Sequence, residues 1–295
     1  MRKFSTLVLL WLLFSGCEKV IDFELKEAAA VLSVDARIET DRDPVVVLTS
    51  SLNYFSTISA GEVASSIIRN AEVILEEGSR SHRLRRIDQT LPGGLAFSFY
   101  TTDDASPSTR IVGEEGKTYR LLIRWEGREY RAVTTIPLLT KTIDSLWWVR
   151  PPNDPDTSTR ALLRGRVTDP PGFGNYIRYF TRVNSGPFLP GFNSVFDDQF
   201  VNNSTIVVDI DRGVDRNNPG SFEDYGFFRR GDTVTVQFSN IDKATFDFWR
   251  TVEFNYQSIG NPFSSPPKIL GNISNGALGY FGGYANQFST LVIRR

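Results

Sequence analysis

The sequence predicts a mostly β fold of two β-sandwich-like domains, the first immunoglobulin-like and the second carrying one amphipathic helix. Apolar and polar side chains alternate with period two through most of the chain, the period that gives a strand one buried face. Turn residues break the alternation at short intervals, and Glu126-Gly127 between Thr118–Trp125 and residues 129–134 is the clearest hairpin. At 295 residues the chain is about twice a common domain length, which fits two domains or one large β domain.

Arg2 and Lys3 precede an apolar run at 7–14 that is shorter than the roughly 20 residues of a bilayer span, so it reads as a secretory signal. Ser15-Gly16-Cys17 resembles the end of a bacterial lipobox, with Phe14 where Leu is usual. Residues 1–16 are expected to be removed and Cys17 to be lipidated, with 17–30 as a tether. Acyl chains contribute about 0.8 kcal/mol per buried methylene, so more than one holds a domain firmly on a membrane. Loss of Arg2 and Lys3 from the 33 basic residues leaves 31 against 34 acidic ones, a mature charge of −3.

The first sandwich is expected over 31–137. Its strands are 31–38, 45–49, 71–75 and the two arms of the hairpin, with 56–66 as a small, polar loop. His82 stands among Arg80, Arg83, Arg85 and Arg86, the pattern of a solvated strand face. The second domain, 138–295, opens with a strand at 144–149 that Pro151-Pro152 ends. Strands follow at 161–167, 175–184, 204–210 and 231–238. Residues 185–203, rich in Phe, Gly and Asn, read as a long loop. A helix is predicted near 242–258, where Ile241, Ala244, Phe248, Trp249, Val252 and Tyr256 share one face directed at the second sheet.

Composition excludes several chemistries. One His and one Cys, the latter spent on lipid, supply no zinc set and no triad partner. A near-zero charge without aromatic-interleaved basic patches gives no nucleic-acid surface. Asp197-Asp198 and Glu223-Asp224 are the acid pairs a hydrolase would need, although such pairs in loops usually bind water or a nearby Arg. The expectation is a protein without catalytic residues or a required cofactor. Calcium is the one metal with candidates, Asp209, Asp211 and Asp215 beside Asn202-Asn203, because that ion takes six to eight oxygen ligands. The other reading of these acids is a solvated strand face.

Aromatics are the remaining lead. Trp147 and Trp148 are adjacent, so in a strand one of them leaves its own sheet to meet the other domain or a partner. Phe188, Phe192, Phe196 and Phe200 recur every four residues. Exposed, they form an apolar patch suited to docking or to stacking on a sugar; buried, they pin the loop.

Several segments together carry a resemblance: Gly116 to Leu121, Tyr130 to Pro137, Asp169 to Tyr176, and Asn272 to Phe281. In this order, behind a lipobox, they resemble the Bacteroidota outer-membrane lipoproteins grouped as domain of unknown function 4249. The resemblance implies a lipid anchor in the outer membrane, facing either the surface or the periplasm, and proximity to a TonB-dependent receptor. It implies an accessory substrate- or receptor-binding role in nutrient uptake and brings no catalytic residues. Two alternatives stay open: a structural envelope scaffold that binds no ligand, and an envelope hydrolase using the acid pairs.

Overall fold

A computed structural model describes residues 30–52, 59–90, 94, 96–199, 201–216, 218, 224–261, 263, 265 and 267–294. The signal segment, Cys17, most of the tether, Phe200 and Glu223 lie outside the described residues. The first half contains β1 (Leu32–Glu39), β2 (Val45–Ser50), α1 (Ala60–Ser66), β3 (Glu72–Glu77), β4 (Arg80–Arg83), β5 (Arg85–Thr90), β6 (Ala96–Thr101), β7 (Thr118–Trp125) and β8 (Arg128–Thr135). The second contains β9 (Thr142–Val149), β10 (Arg160–Thr168), β11 (Tyr176–Val183), β12 (Leu189–Phe196), β13 (Thr205–Ile210), β14 (Phe228–Arg229), β15 (Thr233–Ile241), α2 (Lys243–Ser258) and β16 (Leu278–Val292).

The predicted β class and the helix are both present. In the β7–β8 hairpin, Glu126 and Gly127 both hold positive φ, the geometry that matches the twist of paired strands. Asp242 caps α2 by accepting the Thr245 N–H at 2.9 Å. Three local expectations are corrected. Ser59 and Glu62 form a capping box that starts α1 inside the expected loop. The Arg-rich run is not one solvated face: it splits into β4 and β5, and His82 is 1% exposed. The His82 Nε2 accepts the Asp103 N–H at 2.9 Å, so its Nδ1 carries the hydrogen and donates to Thr109 Oγ1 at 2.8 Å. Residues 189–196 of the expected long loop are strand β12. Gly279 (φ 93°) lies in β16 and runs so close to β1 that a Cβ would stand 1.9 Å from the Val34 carbonyl oxygen.

Eight strands form one large sheet in the order β12-β11-β15-β16-β1-β2-β6-β5. It therefore draws on both halves of the chain. The joint is β16, antiparallel to β15 and parallel to β1. Two four-stranded sheets cover one face of it. The first, β4-β3-β7-β8, packs over β1 and β2 around Val34, Ile38, Leu75, Tyr119 and Ile123; Phe281 and Ala285 of β16 enter this core. The second, built on β10 with β9, β13 and β14, packs over β11 and β15 around Leu163, Ile177, Phe228 and Val236. The boundary at 137/138 thus separates the two covering sheets, while the large sheet runs across it.

Amide side chains hold the link between the halves in a strand-like manner. Asn240 accepts the Lys141 N–H at 3.0 Å and donates to the Lys141 carbonyl at 2.8 Å. Gln287 does the same to Ile143, at 2.7 and 2.9 Å. These pairings satisfy buried backbone groups that no neighbouring strand reaches.

Candidate functional site

The opposite face of the large sheet carries α2. Along β16 the side chains at 280 and 284 point to this face, whereas those at 281 and 285 enter the first core. Phe248 stacks on Tyr280 at 4.5 Å, and Trp249 meets Tyr280 edge-on at 5.2 Å. Tyr176 of β11 packs against Phe246 at 4.8 Å. These rings form a third, small core. Burial raises the Tyr280 hydroxyl well above the ordinary tyrosine range, and the neighbouring Tyr284 and Asp35 push it the same way.

Beside this core lies a buried polar cluster. Arg178 of β11 is 3% exposed, with its guanidinium 3.4 Å from the centre of the Trp249 ring and 4.7 Å from that of Phe180. Its Nε donates to Ser194 Oγ at 3.2 Å and one terminal nitrogen to the Tyr284 hydroxyl at 3.4 Å. Trp249 Nε1 donates to the same hydroxyl at 3.2 Å. The Ser194 hydroxyl donates to Glu253 Oε1 at 2.5 Å, and its backbone N–H donates to Oε2 at 2.9 Å. Arg216 approaches Glu253 at 3.4 Å. No carboxylate among the described residues lies within 4.0 Å of Arg178. One buried acid therefore serves two guanidiniums, one of them only through a serine.

Arg178, Trp249, Tyr280 and Tyr284 line a cleft of about 610 Å³ that continues over β1 to Asp35, Arg37 and Glu39. That volume falls in the range of about 300–1,000 Å³ typical of ligand sites. Phe180 and Phe188 add apolar surface, and Gln237 adds an amide. The floor on the β1 side is internally bonded. Asn286 accepts the Ser239 hydroxyl at 2.6 Å and donates to Glu39 at 2.8 Å, while Arg37 pairs with Glu39 at 3.4 Å. The arrangement offers ring faces, planar hydrogen-bonding groups and a buried cation.

The five aromatics expected to bind do not share one surface. Phe188 lines the cleft, packed on Phe288 at 5.8 Å with Arg182 over its ring at 4.6 Å. Phe192 sits between Tyr225 and Tyr256, at 5.8 and 5.9 Å. Phe196 lies against Tyr179 at 6.2 Å and borders a separate apolar cavity. Trp148 packs on the second core with Arg230 over its ring at 5.4 Å; Trp147 is half-buried on the other side of β9.

The calcium candidates are also dispersed. Asp209 pairs with Arg164 at 2.8 Å, and Asp211 accepts the Tyr225 hydroxyl at 3.1 Å. Burial raises Asp211 above the usual carboxylate range despite that bond, and Asp209 adds to the rise. Asp215 lies on the cleft wall. Among the described residues no three His, Cys, Asp or Glu side chains are grouped to hold a metal ion. Of the acid pairs, Asp198 is a loop staple. It accepts the Gly174 and Asn175 N–H groups at 3.1 and 3.0 Å and the Asn175 amide at 3.2 Å. Asp224 pairs with Arg229 at 3.2 Å.

Sequence reasoning passed over Arg178, Ser194 and Glu253. The available signal was Glu253 itself, an acid on the same helical face as Trp249, Val252 and Tyr256. A model of the family described as Domain of unknown function (DUF4249) matches residues 18–289. No curated protein matches the chain.

Proposed function

The chain belongs to the family described as Domain of unknown function (DUF4249), and from that premise we propose that it is a non-catalytic binding protein of the cell envelope. In this reading Cys17 carries the lipid anchor in the outer membrane, and the domain serves a TonB-dependent receptor by capturing its substrate. The observation that carries the reading is the cleft beside α2, where Arg178 is buried against Trp249 with no adjacent carboxylate among the described residues. A buried cation of this kind is costly unless something compensates it, and a polar ligand with a ring face meets both the cation and the aromatic wall. The cleft stands on a continuous sheet, so its shape is set before any ligand arrives.

A second reading, the ligand-free scaffold, draws on one observation: Glu39 and Glu253 already have partners inside the protein. The hydrolase reading has less support, because Asp198 spends its lone pairs on a turn.

One experiment separates these readings. The full-length lipidated protein, tagged at Arg295, is used to recover partners from native outer membranes. The expected result is a TonB-dependent receptor in stoichiometric amount, and Arg178→Gln then lowers uptake of that receptor's substrate at least tenfold. Membranes that contain such receptors but release none with the protein sink the partnership and put the scaffold ahead.

A further inference from the structure

A second cavity lies away from the cleft, at the open edge of the second sandwich. β12 ends the large sheet and β13 ends its covering sheet. The space between them measures about 540 Å³ and is walled by Ile177, Tyr179, Val195, Phe196, Ile206 and Val208. Elsewhere in this half the packing is close, with Leu163, Phe228 and Val236 at 0% exposure. Here Phe196 stays 48% exposed at the rim, and Ile206 and Val208 are only partly covered. Apolar walls left open in this way lack the contacts that close packing gives.

Its lining holds one buried ammonium. Lys141 is 3% exposed, with its Nζ 2.8 Å from Asp169 Oδ1, and the other Asp169 oxygen accepts the Asn203 N–H at 3.2 Å. The Nζ has no further partner among the described residues. The pair is not saturated: Asp169 Oδ1 is buried without a well-formed hydrogen bond, and an ammonium has three N–H donors, so an acceptor entering from the cavity can bond to the Nζ. Arg250 adds a second cation to the lining, set over the Phe246 ring at 5.8 Å. Of the two acids present, Asp209 spends its charge on Arg164, and Asp197 faces the Gln199 N–H at 3.4 Å.

We propose that this cavity binds one free long-chain fatty acid, its carboxyl group at Lys141 and its chain along the apolar walls. The site is independent of the cleft and does not rest on the uptake role.

The test uses the chain carrying Cys17→Ser, so that no acyl group of its own competes, with cis-parinaric acid as a fluorescent probe. Saturable binding of one probe per chain is expected, with displacement by palmitic acid. Myristic acid, shorter by two methylenes, should displace it roughly tenfold more weakly, following the usual transfer free energy per methylene. Val208→Trp fills the wall and should abolish binding. The double substitution Lys141→Met with Asp169→Asn removes the charges together and should weaken palmitic acid at least tenfold. If that double variant does not fold, the chain-length series and Val208→Trp decide. Absence of saturable binding, equal displacement by the two acids, or undiminished binding to Val208→Trp overturns the proposal. So does displacement by phospholipid vesicles as effective as by palmitic acid, which would mark a bilayer-lipid site instead.

Discussion

Asp169 and Lys141 are an instance of a buried charge pair whose partners depend on each other. Their side chains are 0% and 4% exposed, so removing one leaves the other charged and dehydrated. Asp169→Leu alone should cost about 3–5 kcal/mol in chemical denaturation, and adding Lys141→Met should recover most of the loss. Asp198 supports a pH prediction. Its burial raises the pKa, but the N–H groups of Asn175 and Gly174 and the Asn175 amide outweigh that, leaving it below the usual 3.8. The unfolded chain therefore takes up this proton first as pH falls. The stability Asp198 contributes is present above about 3.8 and is lost as pH drops through the lower folded value. Wild-type protein should lose stability more steeply than Asp198→Asn between pH 4 and pH 2, read from urea midpoints. A parallel decline in the two proteins would refute the role given to this side chain.

At the scale of the element, α2 begins on Asp242, whose two oxygens serve different parts of the molecule. Oδ1 caps the helix at Thr245, while Oδ2 accepts the Thr134 hydroxyl at 2.7 Å and the Thr135 N–H at 3.2 Å. An ordinary cap is worth about 1 kcal/mol, so Asp242→Ala should cost about 2–3 kcal/mol once the bonds to β8 are lost as well. Asp242→Asn, which keeps one acceptor oxygen, should cost less; a loss for Asp242→Ala no larger than the roughly 1 kcal/mol of an ordinary cap would show that the oxygen toward β8 carries nothing. What was legible in the sequence divides along the same line. The β7–β8 hairpin and α2 are specified by neighbours: Glu126-Gly127 makes the turn, and Phe248, Trp249 and Val252 make the stripe. β12 was hidden because Pro190 and Gly191 look like loop, yet a Cβ at Gly191 would stand 2.0 Å from the Tyr179 hydroxyl. Period two identifies a strand without naming its partner, so neither the β1–β16 pairing nor the cleft beneath α2 was readable. Arg178 looked like any exposed position in an alternating strand until Ser194, Tyr284 and Trp249 were brought to it.

For the whole molecule, the shared sheet makes the two halves energetically one. Phe281 and Ala285 lie in the first core, although their strand also pairs with β15. Calorimetry should accordingly show one cooperative transition, and residues 30–137 expressed alone should lack a cooperative unfolding transition. Two separable transitions in the intact protein would mean that the halves fold as independent sandwiches. Among the described residues no helix is long and apolar enough to cross a membrane. The membrane association proposed here is the one assigned to Cys17.

The parallel pairing of β1 with β16 also sets a timetable. Thr40 is bonded to Tyr284, 244 residues away, and β1 pairs with β16 along almost its whole length. A ribosome delivers β1 early and β16 much later, at about 5–20 residues per second. For many seconds the first half has a seam with nothing to fill it, and contacts of such long range close slowly in any case. A nascent chain that cannot finish its fold stays threadable. On the export route proposed above, the same strand that unites the mature protein would delay its closure until most of the polypeptide had passed through the translocation channel.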